Sequence, residues 1–336
     1  MNATILKFCR ILAAAVLSLV FVHLNAMAQV RIEKVSFAGW PNCYKVSNGL
    51  IEFIATSDVG PRIISLGFTG ENNLFYVRED FAGKTGGDEF RNYGGHRLWH
   101  APEDKTRTYQ NDNHPIEVRE ITNGLLLTAP VEKLTGIQKT IEITMNPARA
   151  EVKVIHRLRN AGMWAVELAP WALSVMAPGG FAISPLPTKF HPDRLLPNRQ
   201  LALWPYTNLR DDRYFLGADF VLLRHRAGND ASVERAKVGI ANNEGWCAYV
   251  LKPYLLVKRF HFVEGAKYPD LGSSVELFTN NRMLELETLG PLISLQPGAE
   301  VTHEETWELH KDISPDFTEE DVKAKVLPLI KKQGRE

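Results

Sequence analysis

The sequence predicts an all-β fold, a large antiparallel β-sandwich with a short C-terminal helix. Three observations predict it: apolar and polar residues alternate with period two in short runs, Gly, Asn and Pro break those runs, and helical periodicity is confined to the C-terminal end. The 336 residues are 45% hydrophobic and 23% charged, the composition of a globular protein and not of a disordered or collagen-like chain. Basic and acidic residues balance at 39 each, so there is no positive field to grip a phosphate backbone, and no nucleic-acid partner is expected.

Residues 1–28 read as a secretory signal peptide. Lys7 and Arg10 open it, residues 11–22 form an apolar stretch, and Ala26-Met27-Ala28 supplies the small-residue cleavage pattern. The apolar run is shorter than the ~20 residues a spanning helix needs, so cleavage is expected and no stable membrane anchor remains after it. Cys9 lies before the apolar run, where it does not serve lipidation. The mature chain, beginning at Gln29, is expected in the periplasm or outside the cell. It keeps two cysteines, Cys43 and Cys247, which either pair in that oxidising compartment or stay as buried thiols.

One domain is expected over 29–312. Its clearest early strands are 51–55, 62–68, 125–130, 137–145 and 150–158, with Asn48-Gly49 and Asn123-Gly124 as hairpin turns. In Thr140-Ile141-Glu142-Ile143-Thr144-Met145 the strict alternation marks an antiparallel sheet with one wet face. Residues 165–235 are interrupted by Pro170, Pro178, Pro185, Pro187, Pro192, Pro197 and Pro205 and read as long loops, where binding groups usually sit. Strands resume at 237–241, 246–250, 255–262, 274–279, 283–289 and 300–309. The tail, 313–336, carries a capping box at Thr318-Glu319-Glu320-Asp321 and an apolar stripe of Val322, Val326, Leu329 and Ile330, which predicts an amphipathic helix docked on its own domain, with Pro328 kinking or shortening it.

Several segments, in order, resemble the galactose-mutarotase-like (aldose 1-epimerase-like) superfamily. Gly60-Pro61-Arg62-Ile63-Ile64-Ser65-Leu66 is similar to an early strand of that fold, and Lys139-Thr140-Ile141-Glu142-Ile143 with His156-Arg157-Leu158-Arg159-Asn160 to its central strands. Val275-Glu276-Leu277-Phe278-Thr279-Asn280 and Leu286-Glu287-Thr288 resemble its late strand pair. The phrase Gly94-Gly95-His96-Arg97-Leu98-Trp99-His100-Ala101-Pro102-Glu103 looks like that of an exported bacterial branch. The resemblance implies a sugar-sized cleft on a concave sheet face and gives Glu287 the role of the base that takes the anomeric hydroxyl proton. It also implies an acid histidine in a phrase on a middle strand, where Leu168-Ala169-Pro170-Trp171-Ala172-Leu173 has none.

Alternation puts Glu285 and Glu287 on one strand face, where two carboxylates held close in a partly dry cleft repel and one pKa rises, giving a candidate general base beside a neutral partner; the alternative is a solvated pair facing Lys or Arg. The Gly-Gly entry precedes imidazole, guanidinium and indole in one short span. Trp99 suits stacking on a pyranose, Arg97 paired hydrogen bonds to hydroxyls, and His96 proton exchange in place of the missing acid; the bland alternative is a packed loop with Trp99 in the core. His96 and His100 are four apart, a metal-ligand spacing only on a helix, and the glycines and Pro102 argue for a loop, so no metal and no cofactor is expected. Tyr206 in Trp204-Pro205-Tyr206-Thr207-Asn208 supplies another aromatic wall, followed by Asp211, Asp212 and Arg213. Lys252 and Lys258 either reach the cleft or face water, and Asn92, Glu103 and Glu276 join by position. The functional expectation is a carbohydrate-binding protein whose partner is a small-molecule sugar or glycan. The alternatives are an aldose 1-epimerase-like enzyme with Glu287 as base and His96 as acid, a lyase or glycosidase on the same carboxylates, and a structural sandwich module.

Overall fold

The structure, a computed structural model, describes residues 29–188, 193, 195–226 and 235–333. The expected leader and residues 334–336 lie outside them. Two antiparallel sheets face each other. The first runs Arg31–Phe37, Trp40–Ser47, Ile51–Thr56, Arg62–Phe68, Gly95–Ala101, Val166–Met176, Leu284–Leu289, Val275–Thr279, Ala236–Ile240, Leu201–Leu203, with Ile293–Leu295 beside Val166–Met176. The second runs Tyr214–Leu216, Phe220–Arg224, Phe181–Pro185, Trp246–Leu251, Tyr254–Phe260, Glu300–Lys311, Glu151–Asn160, Ile137–Met145, Gly124–Thr128, Glu117–Ile121. Alternation decides which residues meet between the sheets: in Ile137–Met145 every second residue is buried, and Ile137, Ile141, Ile143 and Met145 enter one core with Leu284, Leu286, Val275 and Leu277 of the first sheet.

The segment read as irregular loops instead contains an eleven-residue central strand, Val166–Met176, with Pro170 inside it. A proline cannot donate to a ladder, yet this one is accommodated because the strand changes partner there. Residues 166–168 pair with Ile293–Leu295, residues 171–176 pair with Leu284–Leu289, and Pro170 contributes only its carbonyl, to the Gly290 amide at 2.9 Å. The Asn48-Gly49 turn forms as expected: the Asn48 Oδ1 accepts from the Leu50 and Ile51 amides. The second turn is shifted by one residue. Asn123 takes the left-handed conformation, while Gly124 already pairs with Ile121 and lies against the Ile143 carbonyl, where a Cβ would come within 2.0 Å.

Cys43 and Cys247 are both buried free thiols. The C-terminal segment is helical over Glu319–Gln333. The Thr318 side chain caps it, and a π-turn over Val322–Val326 precedes Pro328. Val322, Val326 and Ile330 cover the outer apolar face of the second sheet around Ile183, Leu222 and Ala248. No helix among the described residues is long and apolar enough to cross a membrane.

Candidate functional site

The outer face of the first sheet carries a cleft of about 240 Å³. On Gly95–Ala101 the odd positions Arg97 and Trp99 reach it, and on Leu284–Leu289 Glu285 and Glu287 point the same way while Leu284 and Leu286 enter the core. The entry to the first strand needs two glycines. Gly94 and Gly95 have φ of 89° and 70°, and a Cβ on either would lie 2.0 Å from the Tyr76 carbonyl or 2.4 Å from that of Ile63. Asn92, Arg97, Trp99, Glu103, Tyr206 and Glu285 thus come together at one cavity.

Within it the polar groups orient one another. Arg97 donates to Asn92 Oδ1 at 2.6 Å and to Glu285 Oε1 at 3.1 Å, with its guanidinium 4.3 Å from the centre of the Trp99 ring. Tyr109 donates to Glu103, and burial with that carboxylate beside it pushes the phenol well up. Burial also pushes the Tyr206 phenol up, to about 12. Phe90 and Tyr109, both half-buried, pack edge to face at 5.1 Å along one wall.

Three ionisable groups lie in the floor. Glu276 and Glu287 are directly opposed across Val275–Thr279 and Leu284–Leu289, and both are fully buried. The Lys237 ammonium stands 2.6 Å from Glu276 and 3.4 Å from Glu287, beneath Trp204 and beside Trp171, whose indole N–H donates to Glu287 at 2.8 Å. Burial raises both carboxyls, Glu287 to about 7 and Glu276 well above its ordinary value. Burial alone would lower Lys237, but the facing carboxyls hold it well above the ordinary lysine value. One proton on the carboxyl pair leaves one cation and one carboxylate, the state in which the buried charges cancel. Glu287 is fully buried behind Lys237, not among the residues that line the cleft, and its Oε1 has no hydrogen-bond partner.

Three expected site residues, His96, Lys252 and Lys258, fall elsewhere, and Trp99 is placed differently from its expected role. His96 is one step from Arg97 along its strand and therefore points between the sheets, fully buried, away from the cleft. Trp99 reaches the cleft but offers no open stacking face. It is 6% exposed, capped by Arg97 and edged by Tyr109 and Trp171. Lys258 belongs to the second sheet and pairs with Glu305 at 2.8 Å in the interior; Lys252 sits on an exposed turn paired to Asp316 at 2.7 Å. The stretch after Tyr206 is also occupied: Asp211 holds Arg213, and Asp212 holds Arg224 and Arg226. Residues 95–101 form a strand and not a loop, so the spacing of His96 and His100 presents no helical ligand pair.

His96 anchors a hydrogen-bonded chain between the layers. His156 Nδ1 faces the His303 carbonyl at 2.9 Å and so carries the proton, which makes its Nε2 the acceptor for His96 Nε2–H at 2.7 Å. His96 Nδ1 then accepts from Ser174 at 2.9 Å, and Ser174 accepts from Lys258 at 3.2 Å. His303 donates to Thr288 at 2.7 Å, and Thr288 and the Trp307 indole donate to Glu305. Burial lowers all three histidines, so they are neutral. Burial opposes the Glu305 carboxylate too, but Lys258 holds it at about 2. His96, His156 and Glu305 are close enough to share a cation, and Lys258 already supplies one.

Sequence reasoning passed over Lys237, Trp171, Phe90, Tyr109 and Arg235, which also line or floor the cleft. Lys237 had a legible signal, a single charge opening the apolar run Val238-Gly239-Ile240, because lysine is almost never fully buried unpaired.

Among solved structures, the fold is similar to that of a galactose mutarotase related enzyme from Lactobacillus acidophilus, at 10% identity over 80% of this chain and 98% of that one, with a TM-score of 0.50. It is similar to a galactose mutarotase-like protein from Clostridium acetobutylicum at 11% identity over 85% and 99%, also with a TM-score of 0.50. A TPR-domain containing protein from Parabacteroides distasonis matches at 13% identity and a TM-score of 0.52 over 82% of this chain, which spans only 48% of that longer protein. No protein-family model and no curated protein sequence matches the chain. The architecture is the galactose-mutarotase-like sandwich.

Proposed function

We propose that this chain of galactose-mutarotase-like fold is an exported carbohydrate-binding protein that holds a sugar in the cleft on its first sheet. The observation that carries the reading is the Asn92–Arg97–Glu285 set, fixed by its own hydrogen bonds and flanked by Phe90, Tyr109 and Tyr206. Planar donors and acceptors beside apolar ring faces are what a pyranose needs, with its rim of hydroxyls and its C–H face. Ring contact falls to the half-buried Phe90, Tyr109 and Tyr206, and Trp99 braces Arg97 from behind. The test is a thermal-shift panel of neutral, amino and acidic sugars. One class should raise the melting temperature, and Tyr206→Ala should remove most of that gain. A panel with no response at millimolar sugar overturns the reading.

A second reading, an aldose 1-epimerase-like isomerase, is favoured by the Glu287 carboxyl lying near 7, where a general base works well at neutral pH. In it Glu287 takes the anomeric hydroxyl proton, the bond from the anomeric carbon to the ring oxygen opens, and Lys237 in place of His96 protonates that oxygen before the ring recloses. Polarimetry on fresh α-sugars separates the two readings. Faster equilibration, abolished in Glu287→Gln with sugar binding retained, supports the isomerase, and an unchanged rate leaves the binder alone.

A further inference from the structure

A second cavity, of about 250 Å³, opens on the other side of the wall that bounds the cleft. The two are back to back. Trp99 lines both, and two loop segments send alternate residues into each: Asp88 into the second cavity but Phe90 and Asn92 into the cleft, Tyr109 into the cleft but Gln110, Asn111 and Asp112 into the second cavity. The partition is one side chain thick. It consists of Phe90, Trp99 and Tyr109, mutually packed with ring centres 5.1 to 5.6 Å apart.

The second cavity has the same kind of lining as the cleft. Glu132 is fixed by Lys139 at 2.5 Å, and Asp112 is clamped by the fully buried Arg62 through one oxygen while its other, Oδ1, has no hydrogen-bond partner. Lys133 and His114 stand exposed at the mouth. Carboxylates, carboxamides and cations are mixed, so neither cavity selects a single charge. Each volume falls below the ~300 Å³ at which ordinary ligand pockets begin, and the two together come inside that range. A single monosaccharide would use one cavity and leave the other, with its own carboxylates and cations, without a task.

We infer that the ligand is an oligosaccharide of at least two units, with one ring in the cleft, the next in the cavity lined by Asp88, Asp112, Glu132 and Lys133, and the glycosidic linkage crossing the Phe90–Tyr109 edge. The inference rests on the carbohydrate-binding reading of the cleft and names its ligand class.

The test is calorimetric titration of the mature chain with glucose, galactose, mannose and galacturonic acid and with their di-, tri- and tetrasaccharides. For the sugar class that binds, affinity should rise about tenfold or more from one unit to two or three and then level off. Lys133→Ala and His114→Ala, both exposed changes that leave the core intact, should remove most of that rise while the monosaccharide binds as in the wild type. An affinity independent of chain length, or an equal loss for short and long sugars in these variants, overturns the oligosaccharide inference and leaves the cleft reading standing. If no sugar binds at any length, both fail together.

Discussion

Lys237 shows how much one residue can decide. Its ammonium is the only charge in contact with both Glu276 and Glu287 among the described residues, and both carboxyls are fully buried. Replacing one partner of a buried charge set leaves the rest uncompensated, which costs about 3–5 kcal/mol, so Lys237→Met should lower the urea midpoint sharply. Glu287→Gln in the same background should recover part of the loss, since it removes a buried carboxyl rather than adding one. An additive double variant would show that the groups do not interact. The carboxyl pair also makes a pH prediction with a definite sign. Both groups bind protons more tightly in the folded chain than the 4.5 of an unfolded glutamate, so their contribution is complete below pH 4.5 and declines as pH rises above it, that of Glu287 through about 7. Glu276→Gln should flatten that decline when stability is followed by urea melts between pH 5 and 8.

At the scale of the strand, a one-residue step separates the cleft from the interior. Arg97 and His96 are neighbours in sequence and face opposite ways, which is why the cluster Gly94-Gly95-His96-Arg97-Leu98-Trp99 was legible as special while half of its chemistry was assigned to the wrong side. Alternation within 284–289 was readable from the sequence because its apolar and acidic residues announce it. Glu276 and Glu287 sit on consecutive strands joined by a short turn, but the arrival of Lys237 beside them was not legible, because its strand meets Val275–Thr279 only through the sheet order and nothing local encodes that. Pro170 hid a central strand for a similar reason: the change of partner that accommodates it is set by segments more than a hundred residues away. The histidine chain between the sheets gives a prediction opposite in sign to that of the carboxyl pair. His96, His156 and His303 refuse protons that an unfolded histidine accepts below pH 6.5, so stability is complete above that value and falls on acidification, by up to about 1.4 kcal/mol per pH unit for each. Between pH 4.5 and 6.5 the two sets oppose each other, and Glu276→Gln should therefore steepen the acid limb as it flattens the alkaline one. Urea midpoints across pH 4.5 to 8 for the wild type and this variant check both limbs.

For the whole molecule, the division of labour follows from the sandwich. The interlayer space holds a polar chain whose donors and acceptors satisfy one another, and the outer face of the first sheet keeps charges buried beneath an open cleft. Buried ionisable groups are expensive unless paired, and a cleft floor is where such groups most often serve a ligand. A crystal soaked with the sugar that most raises the melting temperature tests this directly. The cleft reading predicts density for a pyranose between Arg97–Glu285 and Tyr206, with hydroxyls within about 3 Å of the guanidinium and carboxylate. Sugar bound on another surface, with the cleft unchanged, would contradict it.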